Sequence, residues 1–168
     1  MAKKMTDPRA LFIEELRDTL SAEKMLEKAL PKMAKEADDQ DLRDGFTHHL
    51  EETRAQIENI KKVFEALGQT ARAKKCVGME GIVAEHDEFM SEHEPSPEVK
   101  DLFLAGAGSR AEHYEIASYT SLIAMAKVLG EDDCAALLQE NLAQEQAQLK
   151  KLEASGTRLG QAAAQAAA

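Results

Sequence analysis

The sequence has no tryptophan, only four prolines and two cysteines, and just 4% aromatic residues among 168. So few aromatic side chains, beside abundant Ala, Leu, Glu, Lys and Gln, speak against an all-β domain and favour helices throughout. No run approaches the ~18 continuous apolar residues of a membrane span. The start, Met1-Ala2-Lys3-Lys4-Met5-Thr6-Asp7-Pro8, lacks the apolar core of a signal peptide. The expectation is a cytoplasmic protein with no membrane partner. Basic charge is also scarce: 31 acidic residues stand against 21 basic ones, a formal charge of −10, which speaks against a general nucleic-acid binder because that needs a basic face for phosphates. Cys76 and Cys134 cannot build a disulfide framework for this length and match no Cys-based zinc spacing, so both read as buried, reduced thiols. A Gly-rich phosphate loop, a Ser/His/Asp order and an aromatic platform for single-stranded nucleic acid are absent too.

What remains is one domain's worth of chain, 18.4 kDa, enough to remove roughly 70% of the unfolded surface from water. The organisation reads as a single helical domain over residues 1–156 and a low-complexity tail over 157–168, frayed from Gly160 onward. Asp7 followed by Pro8 predicts a helix start, and this first helix reaches about Ala37, bent at Pro31. Leu42, Phe46, Leu50, Thr53, Ile57, Ile60, Phe64 and Leu67 keep spacings of three and four, a second long helix ending at Gly68. A weaker, Gly-interrupted stretch from Lys75 to about Glu92 predicts one or two short helices. A third long helix covers about 98–129 before Gly130, and a fourth runs from Asp132-Asp133 to about Leu152.

The chain also repeats itself at an offset of 92 residues. Leu30, Met33, Ala34, Lys35, Asp41, Leu50, Ala55 and Gln56 recur as Leu122, Met125, Ala126, Lys127, Asp133, Leu142, Ala147 and Gln148. Identities at a fixed offset across two helices and their turn predict two helical hairpins related by an approximate twofold axis. With one long crossover, that is an all-α, ferritin-like four-helix bundle.

An α-helix turns about 100° per residue, so each carboxylate can be placed against its helix's apolar stripe. Glu23 lies near the stripe centre of the first helix, Glu112 and Glu115 inside that of the third, and Glu145 inside that of the fourth. On the second helix Thr53 holds the centre, His49 and Gln56 the shoulder, and Glu52 lies farther round. Ionised carboxylates buried without partners cost several kcal/mol each. A pair of divalent or trivalent cations removes that penalty, and carboxylate with sparse imidazole suits iron or manganese better than structural zinc. The alternative for each glutamate is a hydrogen bond to Tyr119 or a glutamine. His48 and His113 point away from their stripes, and His86 and His93 sit in acidic runs that read as solvated surface.

Four segments, Leu16-Arg17-Asp18 with Ala22-Glu23-Lys24, His49-Leu50-Glu51-Glu52-Thr53 with Gln56-Ile57, Lys75-Cys76-Val77-Gly78-Met79-Glu80-Gly81, and Glu112-His113-Tyr114-Glu115-Ile116-Ala117-Ser118-Tyr119, resemble the YciE/YciF family of bacterial ferritin-like proteins. The resemblance runs from about Leu11 to Leu152. It implies a dimetal centre, usually two iron ions, in a homodimer associated with stress responses. By position it implies Glu23, His49, Glu52, Glu112, Glu115 and Glu145 as the metal-binding set. Tyr119, one turn beyond Glu115, stands as the candidate redox-active or hydrogen-bonding phenol, with dioxygen or hydrogen peroxide as small-molecule substrate. The family's fourth helix reads Glu-Glu-Lys where this chain has Gln144-Glu145-Gln146, so either Gln144 or Glu145 faces the metals; Glu145, nearer the stripe centre, is the expected ligand. Two other functions fit the same sequence: a metal-free structural or interaction dimer, and iron storage in a cage.

Overall fold

The computed structural model describes residues 4–168; residues 1–3, the start of the domain span given above, lie outside it. Five helices occur in the order α1 (Pro8–Glu36), α2 (Gln40–Ala66), α3 (Val77–Glu92), α4 (Pro97–Val128) and α5 (Asp132–Ala166), with no strand among the described residues. Asp7 caps α1 by accepting from the Arg9 amide at 2.9 Å, with Pro8 at the first helical position, and Asp39 caps α2 by accepting from the Leu42 amide at 2.9 Å. Gly68 (φ 66°) and Gly130 (φ 73°) follow the ends of α2 and α4 in the left-handed conformation. There the Gln69 amide bonds Phe64 O and the Glu131 amide bonds Ala126 O, closing the last carbonyls of each helix.

The helices α1 and α2 form one hairpin, α4 and α5 the other, and α1 meets α4 while α2 meets α5. The crossover carries one helix, α3, which packs on α1 and α4. Bounds and burial obey the 92-residue offset: α1 ends at Glu36 and α4 at Val128, and α2 opens at Gln40 and α5 at Asp132. Buried Leu42, Phe46, His49, Thr53, Gln56, Ile60 and Leu67 have buried mates Cys134, Leu138, Asn141, Glu145, Gln148, Leu152 and Leu159.

Two expectations fail. The fourth long helix does not stop near Leu152: α5 runs through Ser155-Gly156 and the Ala/Gln tract to Ala166, and Leu159 is buried. Alanine is the best helix former, and no proline ends the tract. His86 is not solvated surface either. It is buried on α3, with Nε2 2.8 Å from Glu36 Oε2 on α1, Nδ1 2.9 Å from Asp87 Oδ1, and its ring stacked near Phe103. The helix α1 is continuous through Pro31. Cys76 and Cys134 are free and buried, and His48, His93 and His113 are exposed as expected. No described helix is long and apolar enough to cross a membrane.

The apolar core is split in two. One cluster gathers Phe12, Leu16 and Leu20 with Ile57, Phe64, Leu122, Leu138 and Leu142; the other gathers Leu26 and Leu30 with Leu42, Phe46, Leu104 and Leu152. Between them, at mid-height on all four long helices, lies a layer of buried polar side chains.

Candidate metal centre

That layer consists of Glu23 from α1, His49, Thr53 and Gln56 from α2, Glu112 and Glu115 from α4, and Asn141, Glu145 and Gln148 from α5, all nearly inaccessible to water. Helical spacing puts them there: 49, 53 and 56 form one stripe on α2, and 141, 145 and 148 the same stripe on α5. His49, on the shoulder by its own helix's periodicity, points inward because the stripe that α2 buries includes it.

One ligand atom each from His49, Glu112, Glu115 and Glu145 lies within 4.8 Å of the others. His49 Nε2 is 3.2 Å from Glu112 Oε1 and 3.6 Å from Glu145 Oε2. On the other side of the ring, Nδ1 is 3.3 Å from Glu52 Oε2. Glu52 therefore sits outside the cluster and orients the imidazole so that Nε2 faces the acids, a common arrangement behind metal-binding histidines. Glu23 also lies outside the converging four. Its carboxylate accepts a hydrogen bond from the Tyr119 hydroxyl, and Asn141 Nδ2 donates to that hydroxyl at 3.0 Å. Gln56 Nε2 donates to Glu145 Oε1. Glu145, not Gln144, occupies the buried position on α5; Gln144 is only half-buried.

Several carboxylate oxygens in the layer lack any hydrogen-bond partner: both of Glu115 and one each of Glu23, Glu112 and Glu145. Buried acceptors in such number, most of them converging on one point, are expensive unless a cation meets them. Without one, burial and the neighbouring carboxylates drive Glu115 and Glu145 well above the usual carboxylate range. Burial likewise pushes Glu23 up to about 8 in spite of the Tyr119 bond. Burial works against the charged form of His49, but its hydrogen bonds to Glu112 and Glu52 outweigh this and raise it to about 9. Glu52, held by that same bond, is lowered. Burial and adjacent acids keep the Tyr119 phenol protonated. Protons thus do here what a metal ion would do, and a hard cation with oxygen and imidazole preference fits the donor set.

A family profile described as "Domain of unknown function (DUF892)" matches residues 7–165. The chain belongs to the DUF892 family. Within reach of this DUF892 chain, protein YciF of Escherichia coli (strain K12) is 44% identical over 138 residues, 82% of either sequence. The crystal structure of that protein, described as a stress protein, aligns with a TM-score of 0.89 at 40% identity, over 94% of this chain and 99% of the other. YcfI of Rhodopseudomonas palustris, described as a candidate structural protein, aligns at 0.88 with 39% identity over 91% and 97%. A Xanthomonas campestris protein, 24% identical with a TM-score of 0.76 over 93% and 95%, shares the fold. The YciE/YciF resemblance of the motifs and the helical-bundle expectation both hold for this DUF892 chain.

The alternative of a glutamine partner for the acids is realised by Gln56, while Asn141 has no role in the sequence reading even though its position 92 residues after His49 marks it. Both are the amides that hold the acids: Gln56 holds Glu145, and Asn141 holds the phenol that meets Glu23.

Proposed function

We propose that this chain is a cytoplasmic, homodimeric, stress-related protein whose buried layer holds non-haem iron, or manganese, at two positions. The observation that carries the reading is the convergence of His49, Glu112, Glu115 and Glu145 with carboxylate oxygens that no protein donor reaches. Similarity to a protein described as a stress protein supports the physiological setting. His49 Nε2, Glu112, Glu115 and Glu145 bind the ion, Glu23 serves the second position, Glu52 fixes the imidazole, and Gln56 holds one oxygen of Glu145 so that the other faces the ion. A redox-active ion held by these residues would supply electron-transfer chemistry toward dioxygen or hydrogen peroxide. The apolar clusters on either side exclude bulk water from the layer, which strengthens every charge interaction inside it.

Metal analysis of protein purified without chelator, then incubated anaerobically with Fe(II) or Mn(II), tests the reading. Stoichiometric uptake that Glu115→Ala abolishes is expected; metal content near zero after incubation overturns it. A second reading, a metal-free structural dimer, draws on the hydrogen bonds from Tyr119 and Gln56 that already engage two of the acids. It predicts a denaturation midpoint indifferent to chelator, whereas a bound ion adds its binding energy to the folded state.

A further inference from the structure

The repeat gives each ligand position a mate in the other hairpin. His49 is matched by Asn141, Glu112 by Leu20, Glu145 by Thr53, and Glu52 by Gln144; only Glu115 meets its own kind, in Glu23. One half of the layer therefore converges three carboxylates and an imidazole, while the mate half retains a single carboxylate.

That carboxylate is already engaged. The Tyr119 hydroxyl donates to Glu23 Oε1, and Asn141 Nδ2 donates to the hydroxyl oxygen at 3.0 Å. Asn141 is fixed in turn: Nδ2 lies 3.3 Å from the Gln56 carbonyl oxygen, and Oδ1 accepts from Asn59 Nδ2 at 2.9 Å. Glu23, Tyr119 and Asn141 are each 0% exposed, so no water substitutes for these bonds from outside. In the first half nothing donates to either oxygen of Glu115 or to Oε2 of Glu112 or Glu145. A cation entering there displaces no hydrogen bond on those atoms. A cation entering the mate half finds Oε2 of Glu23 free and Oε1 held.

Resting on the metal-binding reading above, we infer that the two cation positions are unequal: a tight one at His49, Glu112, Glu115 and Glu145, and a weak one at Glu23 that the Tyr119–Asn141 pair restrains. Tyr119 and Asn141 are positioning residues here. Asn141 orients the phenol, the phenol holds one oxygen of Glu23, and the second ion gains that oxygen only when the bond opens.

The test is an anaerobic titration of the chelator-stripped full chain with Mn(II), counting free ion by electron paramagnetic resonance. The native protein is expected to bind one equivalent tightly and a second at least about tenfold more weakly, the scale on which partners behind metal ligands act. Tyr119→Phe releases Glu23 Oε1, and the near-isosteric Asn141→Asp places a carboxylate at the mate of His49. Each tightens the second equivalent by about tenfold and leaves the first unchanged. Glu23→Gln removes the second and keeps the first. A tyrosine that merely filled space would weaken binding or leave it alone, so a gain of affinity is the discriminating sign. If Tyr119→Phe loses its helical circular dichroism, Asn141→Asp and Glu23→Gln carry the decision. Two equivalents of equal affinity in the native chain overturn the inequality and leave the metal reading standing. A second affinity unmoved by any of these changes overturns the restraint, and no Mn(II) uptake at all overturns both.

Discussion

Glu115 concentrates the conflict between stability and function in one side chain. Both its oxygens are buried without a partner, and burial forces it to keep its proton when no cation is present. Replacing it with an uncharged isostere removes a group that resists ionisation inside the bundle. Glu115→Gln is therefore expected to raise the denaturation midpoint of chelator-treated protein, by on the order of 1 kcal/mol, and to abolish the further gain that metal gives the native chain. Denaturant titrations with and without Mn(II) check both halves; a loss of stability in chelator contradicts the assigned strain. Glu23 and His49 add a pH dependence of the same sign. Glu23 is raised from 4.5 to about 8 and His49 from 6.5 to about 9, so the folded metal-free chain binds more protons than the unfolded one between those limits. For His49 this stability is full below about 6.5 and gone above about 9; for Glu23, ionisation of the unfolded state above 4.5 draws stability away until the folded group titrates near 8. The chelated protein should lose stability steadily from pH 5 to pH 9, and Mn(II) loading near pH 7 should release protons, read by calorimetry in buffers of different ionisation enthalpy. A flat profile, or uptake without proton release, contradicts the assignment.

At the scale of elements, the sequence was most readable where a helix carries its own punctuation. Asp7-Pro8 opens α1, Gly130 ends α4, and the three-and-four spacing from Leu42 to Leu67 traces α2. Glu115 and Glu145 were legible because their own helices surround them with apolar neighbours. Burial that depends on a distant element was not legible. His86 looks solvated beside Glu85, Asp87 and Glu88, and its burial comes from partners on other helices, Glu36 from α1 and Phe103 from α4. The length of α5 escapes the sequence for a different reason: Ser155-Gly156 resembles a stop signal, but Leu159 supplies the buried anchor that Leu67 supplies just past the end of α2. Leu159→Ala should then destabilise the fold by about 2–4 kcal/mol, as for other buried leucines. A change within the error of a chemical denaturation curve contradicts a packed role for this last stretch of α5.

For the whole molecule, the −10 charge divides into two populations. Most acids lie on the surface, many in ion pairs such as Arg158 with Asp39 and Lys100 with Asp38, both at 2.7 Å; exposed pairs of this kind contribute little. The few acids between the two apolar clusters form the candidate metal centre, and the hairpins that present them obey one offset down to their mate positions. Two identical hairpins associating as separate chains would have to place the same residue at both mates, so a histidine facing an asparagine across the axis would be impossible. Joined through the crossover that carries α3, the halves are free to differ. The covalent link therefore does more than raise the effective concentration of one hairpin near the other: it lets a symmetric scaffold hold a centre whose two sides are chemically distinct.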